Sequence, residues 1–162
     1  MSNDLTFLLA AAGVAPGSGA TVVLNLSYTG HTEFAGRLVP EEPGSYYHFI
    51  IGHRGAHLAE VVSVQPLPQA PFYDHDHVRF LAGPHAGKLG RIEVLPCACC
   101  WPEKHAHAAA ARRRGSYEVR IDVTREQEGR VVVASASALQ LTDFFGRPLA
   151  FGPIAAIQTK LF

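Results

Sequence analysis

The spacing of apolar residues changes once along the chain, from a helical to an alternating pattern. Residues 4–12 read as a short helix with Asp4 in its first turn and Gly13 just past its end. From Thr21 the period becomes two: residues 21–27 place Val22, Leu24 and Leu26 on one face, as in a half-buried strand. Residues 34–39, 46–51 and 58–64 read as further strands, parted by turn-forming runs such as Glu41-Glu42-Pro43-Gly44. Pro66, Pro68 and Pro71 then interrupt the pattern. Proline has no N–H for a central ladder, so 66–71 reads as a linker or an edge crossing. After it the alternation restarts, with strands expected at 78–81, 90–95, 117–123, 130–135 and 138–141.

The two halves share landmarks in the same order. Gly36-Arg37-Leu38-Val39 resembles Gly90-Arg91-Ile92-Glu93-Val94, and Gly44-Ser45-Tyr46-Tyr47 resembles Gly115-Ser116-Tyr117-Glu118. Val61-Val62-Ser63-Val64 resembles Val131-Val132-Val133-Ala134, with Leu139-Gln140-Leu141 just beyond. Three matches in one order suggest a tandem repeat, although β-proteins also reuse Gly-Ser-Tyr turns independently.

Composition narrows the class. At 162 residues, 48% apolar and 17% charged, the chain can bury a core in one ordinary domain or two small ones. Basic and acidic residues balance at 14 each, which argues against an overall basic nucleic-acid coat and against an acidic tail. The balance hides an asymmetry: residues 1–68 hold 2 basic and 5 acidic side chains (2 − 5 = −3), and residues 69–162 hold 12 and 9 (12 − 9 = +3). Met1-Ser2-Asn3-Asp4 lacks the positive charge of a secretory leader, and no run approaches the roughly 18 apolar residues of a membrane span. The three cysteines crowd at 97, 99 and 100 and form no disulfide framework. A reducing compartment follows, and the expectation is a bacterial cytoplasmic protein with no membrane contact.

The most informative segment is 78–94. It reads as a strand, a loop punctuated by Gly83, Gly87 and Gly90, and a second strand. Val78 and Phe80 alternate inward, as do Ile92 and Val94. This segment closely resembles a KOW motif, the β-hairpin of SH3-like barrels in some ribosomal proteins and in transcription elongation or antitermination factors. Gly90 matches the motif's signature glycine, Gly83, Gly87 and Lys88 match its loop, and Val78, Phe80, Ile92 and Val94 match its core positions. The likeness extends loosely to Leu141. It implies a mainly β fold of tandem small SH3-like barrels and a binding module without catalysis. The loop residues His85, Lys88 and Arg91 are its candidate contacts with RNA or protein. The bland alternative makes Lys88 and Arg91 solvated turn charges.

An insertion separates the second half from a compact barrel. Gly36 and Gly44 lie eight positions apart, but Gly90 and Gly115 lie 25 apart. Long inserts in small domains usually carry function or are disordered. Residues 103–114 read as a helix, with Pro102 and Glu103 suited to its start and Arg112, Arg113 and Arg114 to its end. Lys104 and the three arginines form a basic patch, and Trp101 can stack on a base or fill a protein pocket. The same charges also serve as a helix-dipole complement. Cys97, Cys99, Cys100, His105 and His107 have ligand chemistry, but Cys-x-Cys-Cys is not a zinc spacing, and two histidines two apart on a helix point about 200° apart. Nothing in the spacing enforces a Cys–His nucleophile either. Asp74-His75-Asp76-His77 reads as a polar strand entry with His75 and His77 on one face and no third ligand. His31, His48, His53 and His57 read as ordinary polar residues.

The expected organisation is therefore an N-terminal helix and linker (1–20), a first SH3-like unit (21–68), and a KOW-like unit (69–143) with a helical insert at 97–115. An apolar tail (144–162) packs back on the body. No catalytic residue, metal or cofactor is expected. The expected function is binding of a protein partner, for example as an immunity-type inhibitor of a toxin. The alternatives are an RNA- or ribosome-associated module of KOW type and, third, a metal protein or enzyme built on the Cys/His insert.

Overall fold

A computed structural model describes residues 3–93, 115–121 and 130–149. The expected helix at 103–114 therefore lies outside the described residues. So do Cys97, Cys99, Cys100, Trp101, Lys104, His105, His107, Arg112, Arg113 and Arg114, and the tail from residue 150. The described chain is mainly β and divides after Tyr73 into two compact units.

The first unit opens with helix α1 (Asn3–Ala12). Gly13, at φ 72°, donates to the Ala10 carbonyl, and the Val14 N–H donates to the Leu9 carbonyl at 2.9 Å. This is the paired closure of a Schellman end, and its apolar partners Val14 and Leu9 are both buried. Five strands follow: β1 (Gly19–Leu26), β2 (Gly30–Pro40), β3 (Phe49–Ile51), β4 (Arg54–Ala56) and β5 (Val61–Pro66). They form an antiparallel sheet in the order β4-β3-β2-β1-β5. Leu5 and Leu9, one turn apart on α1, join Val22, Leu24, Leu38, Phe49 and Ile51 in the core. Burying each such side chain contributes about 1.5–3 kcal/mol.

The second unit contains β6 (His77–Phe80), β7 (Leu89–Ile92), β8 (Ser116–Ile121), β9 (Val131–Ser135) and β10 (Leu139–Thr142). They form an antiparallel sheet in the order β10-β6-β7-β8-β9. Its buried face carries Val78, Phe80, Ile92, Tyr117, Val119, Ile121 and Leu139. Both sheets thus place the fifth strand of the unit beside the first, and in both a single 3-10 turn leads into that fifth strand (Leu58–Glu60 and Ala136–Ala138).

Several expectations are corrected here. The sheets are open rather than closed barrels: in each, the fourth and fifth strands stand at opposite edges and exchange no ladder bonds. The strand expected at 58–64 begins as that turn and becomes extended only at Val61. The strand expected at 46–51 starts only at Phe49, opposite Pro40. β4 has three residues and no apolar alternation, so only its pairing with β3 reveals it. Of the three repeat landmarks, Gly36/Gly90 lie in the second strands and Gly44/Gly115 just before the third strands. The last pair falls on unlike strands, Val61 in a fifth and Val131 in a fourth. His75 does not share a strand face with His77: it sits in a turn at φ 69°, before β6 begins.

Candidate binding surface

Three strands of the second unit repeat one local pattern: an arginine between two inward-facing positions. Val78-Arg79-Phe80, Gly90-Arg91-Ile92 and Val119-Arg120-Ile121 bury their flanks and turn Arg79, Arg91 and Arg120 to the outer face. Register then sets two of them, Arg91 and Arg120, side by side. Thr142 pairs with His77, His77 with Arg91, Arg91 with Arg120, and Arg120 with Val131, giving one row across all five strands. Directly opposed side chains in such a row sit about 5 Å apart at Cβ.

Gly90 permits this alignment. A Cβ at that position would lie 2.8 Å from the Arg120 carbonyl oxygen and 2.8 Å from Val119 Cγ1. The glycine is required for space: it lets β7 and β8 approach closely enough to place Arg91 beside Arg120. Gly83 and Gly87 serve the loop before it differently, through φ of 85° at both.

The three arginines do different things. Arg120 is clamped by Glu93: its Nε donates to both carboxylate oxygens at 3.1 and 3.3 Å, and Nη2 donates to Oε1. These hydrogen bonds raise the guanidinium above its ordinary value and keep it charged. Arg79 ties two loops together, its Nη2 donating to the Gly146 carbonyl at 2.9 Å and its Nη1 to the Gly87 carbonyl at 3.3 Å. Arg91 is exposed, and its side chain makes no hydrogen bond or ion pair among the described residues.

A rigid aromatic turn adjoins the row. After β10, residues Asp143-Phe144-Phe145-Gly146-Arg147 fold back over the outer face. The Asp143 carboxylate accepts from the N–H groups of Phe145 (2.9 Å) and Arg147 (2.8 Å), and the Arg147 side chain pairs with it at 3.1 Å. The backbone bonds, that of Arg147 first, hold the Asp143 carboxyl below the ordinary carboxylate range. Gly146 nestles against Arg79 and Leu89, so the turn is anchored from beneath. Held in this way, Phe144 and Phe145 remain 70% and 71% exposed. Phe144 meets the His77 ring edge-on at 5.4 Å, and Arg147 lies over the Phe145 ring at 5.4 Å. At the opposite edge β9 exposes Val131 and Val133.

The residues expected from the loop divide between the loop and the sheet. Arg91 joins the row. Lys88 precedes β7 on the opposite pleat parity, and its carbonyl accepts from Phe80. His85 is half-buried, with its ring 5.7 Å from Phe80, and its buried Nδ1 has no hydrogen-bond partner. Arg91 thus stands in the sheet row, while His85 and Lys88 stay in the loop, where the Lys88 N–H donates to the His85 carbonyl at 3.0 Å. Sequence reasoning passed over His77, Arg79, Arg120, Phe144 and Phe145 as a group. The signal was the arginine flanked by apolar residues in three successive strands, with Asp-Phe-Phe-Gly as a turn too apolar for its exposure.

Among the described residues no three His, Cys, Asp or Glu side chains converge to hold a metal ion, and no helix is long and apolar enough to cross a membrane. Set against known proteins, the chain matches no family model and no curated sequence.

Proposed function

We propose that the chain is a non-catalytic binding protein of two SH3-like units, whose second unit docks a protein partner on the outer face of its sheet. The common strand order and the 3-10 turn before each last strand support reading the two units as one repeated SH3-like design. The observation that carries the docking is the Phe144–Phe145 turn, two large rings held in the open by hydrogen bonds rather than left floppy. Aromatic rings and arginine are the side chains that most often anchor protein interfaces, and a pre-set turn lowers the ordering cost of binding. Among the described residues the face is only weakly charged: Arg79, Arg91, Arg120 and Arg147 against Glu93, Glu118 and Asp143 leave 4 − 3 = +1. Apolar groups at both edges with little net charge favour a protein over a nucleic acid. One observation favours the second reading, an RNA contact: three arginines on one face of adjacent strands, with Arg91 paired directly to Arg120.

The test is capture from native lysate by the wild-type chain and by a Phe144→Ser, Phe145→Ser variant, each with and without nuclease. Proteins retained by the wild type in both arms and lost by the variant support protein docking. Capture that disappears with nuclease and falls steeply with salt supports RNA instead.

A further inference from the structure

We propose that the first unit carries a second binding site, specific for a cationic peptide, on the ring cluster of Tyr46, Tyr47 and His57. The site lies beside the 3-10 turn Leu58–Glu60 and shares no residue with the face described above. Tyr46 meets Tyr47 edge-on at 4.8 Å and His57 at 5.1 Å, and Tyr47 lies 5.1 Å from His57. His48 joins as a fourth ring, 5.7 Å from His57.

The cluster is built into the backbone. The Leu58 N–H donates to His48 Nδ1 at 3.0 Å, the His57 N–H to a Glu60 carboxylate oxygen at 2.9 Å, and the His48 N–H to the Ala56 carbonyl at 3.0 Å. Tyr47 lies flat over Gly55, in space that any Cβ there would occupy. These bonds fix the loop 41–48 although every residue from 42 to 48 is exposed. The exposure is thus a fixed feature: Tyr46 stays 79% exposed while packed against two rings.

Charge selects the ligand. The face of an aromatic ring carries the negative end of its quadrupole and attracts ammonium and guanidinium groups. Glu41 and Glu42 open the same loop, and Glu60 closes the turn beneath it. In the described first unit the acids are Asp4, Glu33, Glu41, Glu42 and Glu60. Its two arginines are engaged elsewhere: Arg37 is buried on the Gly17 and Pro71 carbonyls, and Arg54 lies over the Phe34 ring at 5.2 Å. The rings contact one another too closely for a cation to enter between them, so the cation lies on the exposed Tyr46 ring, in a unit whose described acids outnumber its arginines five to two. A chain of basic residues satisfies both, whereas an acidic or nucleic-acid ligand meets repulsion.

The test uses the full chain and a fluorescent octa-arginine peptide, with octa-glutamate as control, read by anisotropy at two salt concentrations. The variants are Tyr46→Leu, which removes the π face without altering charge, and Tyr46→Phe, which restores it. Because the Tyr46 side chain is mostly in solvent, both variants should melt like the wild type by circular dichroism. The expected result is octa-arginine binding that Tyr46→Leu weakens about threefold or more, as loss of an exposed cation–π contact implies, and that Tyr46→Phe restores. Phe144→Ser should leave this binding unchanged. Equal binding by wild type and Tyr46→Leu would show diffuse charge attraction alone and overturn the proposal, as would absence of octa-arginine binding at low salt.

Discussion

Replacing Gly90 with alanine tests the packing that brings Arg91 beside Arg120. The added Cβ meets the Arg120 carbonyl oxygen and Val119 Cγ1, each at 2.8 Å, and Phe80 Cε2 at 3.4 Å. Comfortable carbon contacts lie at about 3.5–4.0 Å, so roughly 0.7 Å must be found. The carbonyl belongs to β8 and cannot rotate away, so the ladder joining Gly90 to Ile121 and Arg91 to Arg120 has to open. Overpacking of this kind costs about 1–3 kcal/mol. The loss of glycine's unfolded-state freedom returns about 0.4–1 kcal/mol. The net expectation is a loss of about 1–2 kcal/mol, read by urea unfolding followed through the amide signals of Ile92 and Val119. Asparagine provides the discriminating control. Gly83 has open space but φ of 85°, so Gly83→Asn should be tolerated better than Gly83→Ala, because asparagine accepts that backbone. Gly90→Asn should be no better than Gly90→Ala. A Gly90→Ala loss below about 0.5 kcal/mol, or rescue by asparagine there, would refute the argument from space.

Three further outcomes are expected. Gly19→Ala should push out the Tyr73 ring, which lies under Arg37 and bonds to Pro68 and Ala70; amide exchange at Ala70 should quicken, with a stability loss of about 1–3 kcal/mol. Leu9→Ala removes a fully buried side chain that also closes the end of α1, and should cost about 2–5 kcal/mol by denaturant titration. Asp143 has a lowered pKa in the fold, so its support of the aromatic turn is present above the ordinary carboxylate range and is lost as pH falls through the lowered value; the heteronuclear NOE of Phe145 should drop there and not at neutral pH, and Asp143→Ala should show the low value throughout.

Period-two runs such as Val22, Leu24 and Leu26 made the long central strands legible, and so did the helix ended by Gly13. What the pattern misplaced was decided by partners far along the chain. Arg54-Gly55-Ala56 is a strand only because β3 lies beside it, and residues 58–60 turn because the chain must step from the fourth strand to the fifth. For the candidate surface, the KOW-like segment drew attention to Arg91 and Gly90, but not to their neighbours. Arg120 reaches Arg91 through register across an insertion, and Phe144 reaches His77 through a turn docked on Arg79, two distances that local spacing does not encode. The His85 ring lies 5.7 Å from that of Phe80, a contact that a loop position next to glycines does not announce.

Position-specific photocrosslinking tests most directly whether the outer face of the second unit does the binding. A photoreactive phenylalanine analogue is placed at Phe145, or at the comparably accessible Val62 on the first unit, and each protein is irradiated in nuclease-treated native lysate. Discrete protein adducts from position 145 that are missing from position 62, and that disappear when Phe144 is also changed to serine, are the predicted result. Adducts that are equal from both positions, or none from position 145, would contradict it.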